Sequence, residues 1–101
     1  MKDKFIIYIS DVVTGKLREK HGVTEPEVHQ CFENNTAKYA QDTREEHRTD
    51  PPTLWFIAET DAKRRLKVVF LRYSKTEYIL KTAFPPNEDE ERLWQGYTQR
   101  G

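Results

Sequence analysis

Residues 54–83 read Leu54-Trp55-Phe56-Ile57-Ala58-Glu59-Thr60, a turn at Asp61-Ala62-Lys63, then Leu66-Lys67-Val68-Val69-Phe70-Leu71-Arg72-Tyr73, and, after Ser74-Lys75-Thr76, Glu77-Tyr78-Ile79-Leu80-Lys81-Thr82-Ala83. Side chains alternate across a strand with a period of two. Leu54, Phe56 and Ala58 therefore fall on one face, opposite Trp55, Ile57 and Glu59. Leu66, Val68 and Phe70 oppose Lys67, Val69 and Leu71. Tyr78, Leu80 and Thr82 oppose Glu77, Ile79 and Lys81. The short connections predict an antiparallel meander with 66–71 at its centre. Phe56, Val68, Phe70 and Leu80 are its expected core.

Helices flank this meander. Ser10 or Asp11 can cap a helix running to about His21, with Ile9, Val13 and Leu17 forming one stripe and Gly22 a left-handed stop. Thr24-Glu25-Pro26-Glu27 has capping-box form, and Val28, Cys31 and Phe32 supply the buried face of the helix that follows, which ends at Asn34-Asn35. After Pro85-Pro86, Asn87 caps a third helix with Glu90 at its third position; Leu93, Trp94 and Tyr97 are its apolar face. Lys38–Asp42 is a further strand candidate. Phe5–Ile9 reads as a strand or an irregular lead-in. The expected architecture is α+β: two N-terminal helices and a C-terminal helix on a three- to four-stranded antiparallel sheet.

At 101 residues the chain has room for one core, so residues 1–101 are read as a single domain. Seventeen basic and seventeen acidic residues balance to zero. A hydrophobic fraction of 36% is low, but 12% aromatic content argues against a disordered chain. No stretch approaches a membrane span, and Asp11 and Lys16 interrupt the N-terminal apolar run before a signal core forms. The lone Cys31 excludes an internal disulfide and suits a reducing compartment, so a cytoplasmic location is expected. No zinc spacing, phosphate-binding glycine loop or nucleophile elbow is present in the sequence, and no metal or cofactor is expected.

The charge is unevenly placed. Lys63, Arg64, Arg65, Lys67, Arg72, Lys75 and Lys81 face Glu77 alone between 63 and 81, whereas 88–91 is Glu-Asp-Glu-Glu. Such a local basic surface suits phosphate groups; the same residues also read as solvated hairpin charges. Trp55 and Tyr73 are candidate base-stacking rings, or sheet aromatics. The stretch between Asp42 and Thr53 holds Arg44, Glu45, Glu46, His47, Arg48 and Asp50, combining an imidazole, carboxylates and guanidinium groups in one long loop. A histidine transfers protons near neutral pH, a carboxylate can orient it, and arginine can hold a phosphate bidentately. The alternative is a polar connector whose charges pair with one another. His21, at a helix end, suits a structural role as well as a chemical one.

The order of His21-Gly22-Val23-Thr24 after a basic helix, the charged loop, Leu54–Ala58, Leu66–Phe70 and Lys81-Thr82-Ala83-Phe84 before the Asn87-Glu88 helix resembles the BrnT branch of the RelE-like toxin superfamily, over roughly residues 16–97. In that branch a Lys-His-Gly-Val segment joins two helices, antiparallel strands follow, and a helix closes the chain. The resemblance implies metal-independent RNA cleavage, with cations on the phosphate and one or two proton carriers. On this chain the loop candidates for that chemistry, taken from its local composition, are His47 as proton carrier, Arg44 on the phosphate and Glu45 as orienting carboxylate. Lys67 and Lys81 are the sheet cations, and Lys63, Arg64, Arg65, Arg72 and Trp55 the nucleic-acid contacts. Expected partners are RNA or the ribosome and a cognate antitoxin or toxin protein.

The run Asp42–His47 followed by Asp50–Thr60 also resembles small bacterial proteins labelled ADP-ribosyl-(dinitrogen reductase) hydrolase, which implies a small ADP-ribose-related hydrolase. True ADP-ribosylglycohydrolases are far larger helical proteins with a carboxylate-bound metal pair, a fold this length and β-content cannot reproduce. The near-neutral pI of 6.8 departs from the basic character of RelE-type toxins and favours a third expectation. That is a non-catalytic immunity, antitoxin-like or regulatory protein on the same scaffold.

Overall fold

A computed structural model describes residues 5–36, 39–41 and 52–99. Strand β1 (Ile6–Tyr8) leads into helix α1 (Asp11–Lys16), which continues as a π-helical turn over Leu17–His21. Helix α2 (Glu25–Asn34) and the short β2 (Ala40–Gln41) follow. Next come β3 (Thr53–Glu59), β4 (Arg65–Arg72), β5 (Glu77–Phe84) and helix α3 (Glu88–Gln99).

The fold is α+β, and the expected β3–β4–β5 meander is present with β4 at its centre. The sheet itself corrects the expectation of three or four antiparallel strands. It has five strands in the order β1-β5-β4-β3-β2, and β1 runs parallel to β5, pairing Ile6 with Glu77 and Tyr8 with Ile79. Three residues were too few for periodicity to identify β1 as a strand. Of the predicted strand 38–42, Ala40 and Gln41 pair with Trp55 and Leu54; Lys38 and Asp42 lie outside the described residues.

A second correction concerns β5. Val69 pairs with Thr82 and Phe70 with Leu80, so Lys81 is an extra residue in a β-bulge. The bulge shifts the alternation by one residue. Tyr78, Leu80 and Ala83 face the core, and Thr82, expected beside them, turns to the opposite face.

The helix ends form as their capping residues predict. Ser10 Oγ accepts from the Val13 amide at 3.2 Å. The Thr24 amide donates to Glu27 Oε1 at 3.1 Å, and the Glu27 amide to Thr24 Oγ1 at 3.4 Å. Asn87 and Glu90 make the same reciprocal pair at 3.0 and 2.8 Å. Gly22, at φ 60°, ends the π turn in the left-handed region, where a side chain would be strained.

The helices lie on opposite faces. Leu17, Val23, Val28, Cys31 and Phe32 cover Phe56, Leu66, Val68 and Phe70, with Phe32 4.9 Å from Phe56 and 5.2 Å from Phe70 between ring centroids. Helix α3 covers part of the other face, where Trp94 meets Trp55 at 5.5 Å. Strand β3 is therefore buried on both sides. On α3, Trp94 is buried and Tyr97 touches Trp55, but Leu93, expected on the same face, is 56% exposed.

Candidate functional site

The register sorts the basic residues along the sheet. Thr53 lies opposite Leu71, and Arg72 opposite Tyr78, at one end; Glu59 lies opposite Arg65 at the other, roughly 20 Å away at about 3.4 Å per residue. The ends of β2 and β3 that flank residues 42–51 are at the Arg72 end. Lys63, Arg64 and Arg65 belong to the far end, and Lys67, opposite Ile57, lies toward it. Arg44, Glu45 and His47 lie outside the described residues.

Most of the predicted cations are occupied. Arg64 donates to the carbonyls of His21 and Gly22, both at 2.8 Å, and pairs with Glu27 at 3.2 Å, closing the C-terminal end of the π turn. Arg65 grips Glu91 with two bonds, at 2.7 and 2.8 Å, which raises the guanidinium pKa, and reaches Glu59 at 3.7 Å. Lys67 pairs with Glu90 at 2.9 Å over the ring of Trp55. Trp55 is thus buried beneath Lys67 and α3 instead of presenting a stacking face. Arg72 folds back onto the carbonyls of Ser74 and Lys75. The side-chain ammonium groups of Lys63, Lys75 and Lys81 are exposed and, among the described residues, have no hydrogen-bond or ion-pair partner. Lys81, on the bulge, has no register partner on β4 and is not brought together with Lys67.

The basic run therefore divides by chemistry. The acidic first turn of α3 pairs with Arg65 and Lys67 on its half of the sheet face, whereas the free lysines at 75 and 81 belong to the turn before β5 and to β5 itself, and Lys63 to the β3–β4 turn. The sequence shows both charge clusters but not that they meet, because that depends on α3 crossing to the second face.

Two concavities flank this division. A cleft of about 760 Å³ lies between the end of α2, the β3–β4 turn and α3, with Asn34, Asp61, Lys63, Arg65 and Trp94 among its walls. Its charges are largely engaged: Asn34 Nδ2 donates to the Glu59 carbonyl at 2.9 Å and to Asp61 at 3.0 Å. The second, of about 710 Å³, opens at the β1–β5 corner between Tyr8, Tyr73, Glu77 and Ile79. Tyr73 was legible as a stacking candidate. Tyr8 and Glu77 were not, because their proximity requires the parallel β1–β5 pairing.

The other reactive side chains have structural surroundings. Cys31 is buried, its thiol directed at the Ala58 carbonyl at 3.7 Å, and burial pushes its pKa up to about 12, which keeps it protonated and unreactive. His21 packs against Phe84 at 5.5 Å, and His29 is half-buried near Phe5. Among the described residues no cluster of His, Cys, Asp and Glu could hold a metal ion, and no helix is long and apolar enough to cross a membrane. In comparisons with known proteins, no family model matches the chain and no curated protein matches its sequence.

Proposed function

We propose that this protein is an RNA-cleaving toxin of a bacterial growth-inhibition pair, acting at the sheet end where residues 42–51 join β2 and β3. The observation that carries the reading is the placement of the His21-Gly22-Val23 junction. It links two helices packed on one face, ahead of three antiparallel strands and a closing helix, which is the layout of the RelE/BrnT-like resemblance. Lys75 and Lys81 supply free cations for phosphate, and His47, with Arg44 and Glu45, supplies proton transfer from the stretch of sequence between β2 and β3. The chemistry requires the ribose 2′-oxygen to attack the phosphate while a proton reaches the leaving 5′-oxygen. Inducing the chain in bacteria should arrest growth, and purified protein should cleave RNA in the presence of a chelator, alone or on ribosomes. His47→Ala should cut turnover by about 10²–10⁴-fold. Normal growth together with intact RNA would remove the reading.

A non-catalytic regulatory protein on the same scaffold is the second reading. It is favoured by the internal pairing of Arg64, Arg65 and Lys67, which leaves little basic surface for general RNA binding. Normal growth on induction, with RNA left intact by the purified protein, would favour it.

A further inference from the structure

The β1–β5 corner combines features that the proposed chemistry has not used. Tyr8 and Ile79 are register partners on the face that α3 leaves open, and Tyr73 stands at the start of the turn beside them, its amide donating to the Glu77 carbonyl at 2.9 Å. Both phenol rings are accessible, Tyr8 at 48% and Tyr73 at 69%. Together with Ser10, Glu77 and Ile79 they line the cavity of about 710 Å³.

Glu77 is the polar centre of this cavity. Its Oε2 accepts from the Tyr8 hydroxyl at 2.8 Å, and its Oε1 from Ser74 Oγ at 2.9 Å. The carboxylate hydrogen bond holds the Tyr8 phenol above its ordinary pKa, so the phenol keeps its proton and remains the donor. No cation pairs with Glu77 among the described residues, since Arg72 is turned to backbone carbonyls. Two hydroxyls fix the carboxylate and leave one acceptor site on each oxygen. A fixed carboxylate with two adjacent vacant acceptor sites matches a ligand edge with two adjacent N–H donors. Accessible aromatic rings match a flat π-surface.

We propose that this corner is a guanine-binding site for single-stranded RNA: the base stacks on Tyr73 or Tyr8 over Ile79, and Glu77 accepts from its N1–H and N2–H. Guanine alone among the four bases places two donors side by side on its Watson–Crick edge. Adenine and cytosine put a ring acceptor beside their amino group, and uracil flanks its single N–H with carbonyls. Exposed protein aromatics and hydrogen bonds to that edge are the usual means of reading unpaired RNA. Lys75 and Lys81, both exposed, supply the charge for the flanking phosphates. The same pocket chemistry would also accept an arginine side chain, but the unpaired Lys75 ammonium, in the turn that leads into Glu77, favours a polyanion. This inference deepens the proposed function and rests on RNA as its substrate.

The test is an NMR titration of isotope-labelled full-length protein with GMP, with AMP, CMP and UMP as controls of equal phosphate charge. GMP should shift the amides of Tyr8, Tyr73, Glu77 and Ile79 saturably and bind about 10–100-fold more tightly than AMP, the discrimination of a good bidentate pair. Glu77→Gln should abolish that preference, and Tyr73→Ala, at an exposed position, should weaken all four nucleotides about equally. Equal binding of GMP and AMP, shifts away from the corner, or no saturable GMP binding would overturn the proposal. So would saturation of the corner by an arginine tripeptide in preference to GMP. The two readings fail separately. Guanine-selective binding without RNA cleavage upholds the base site and removes the ribonuclease. Cleavage with no guanine preference, unchanged in Glu77→Gln, overturns the base site alone.

Discussion

The Lys67 ammonium lies 4.6 Å from the centroid of the Trp55 ring, held there by Glu90 at 2.9 Å. This sandwich joins β3, β4 and α3 through one side chain. Lys67 and Glu90 are only 15% and 22% exposed, so solvent screens the pair less than a surface bridge.

Lys67→Ala should therefore destabilise the fold by about 2 kcal/mol, combining a lost cation–π contact with a lost, partly buried ion pair. Lys67→Met, which keeps the stem over Trp55, should lose about half as much. Urea denaturation followed by Trp fluorescence measures both, and equal losses would assign the effect to charge alone.

Arg64 stabilises a helix end. Arg64→Ala should cost about 1–3 kcal/mol by leaving the carbonyls of His21 and Gly22 without their donor. Lysine should recover little, because one ammonium does not reproduce the guanidinium fork. Amide exchange at Gly22 and Val23 should accelerate in both variants. An unchanged unfolding midpoint would return Arg64 to the pool of free cations.

Phe70 contacts Phe32, Phe56, Tyr39 and Tyr78 and is fully buried. Phe70→Ala should cost about 3–5 kcal/mol, measured by thermal or chemical unfolding.

The Cys31 thiol titrates near 9 in an unfolded chain and at about 12 here. Between those values the folded state holds a proton that the unfolded state releases, so this group's contribution to stability is complete below pH 9 and declines as pH rises toward 12. Tyr39, raised by burial and by its hydrogen bond to Tyr78, acts in the same direction at higher pH. Cys31→Ala should flatten the alkaline slope of the melting temperature. Native Cys31 should resist alkylation at pH 8, except at the rate of unfolding.

The meander and the helix caps were legible because each rests on local chemistry: Thr24 with Glu27, Asn87 with Glu90, and alternation through Phe56, Val68 and Phe70. Lys81 was misread because a bulge shifts the alternation without any glycine to announce it. Trp55 and Lys67 were legible as functional candidates only while the second face was assumed open; the crossing of α3 puts both under a helix. Glu77 was passed over as a lone acid in a basic run, since its meaning depends on Tyr8, 69 positions away in the chain.

That separation has a kinetic meaning. The Tyr8–Glu77 hydrogen bond closes one of the longest loops in the molecule, whereas β3, β4 and β5 form between near neighbours in the chain. Pairings of high sequence separation are slow to form, because loop-closure entropy is lost before the contact is made. During synthesis β1 is made first but must wait for β5, its exposed Ile6 and Tyr8 unpaired until the last strand is complete. By that argument the corner pocket should be the last part of the sheet to assemble, and a chain halted before residue 77 lacks it entirely.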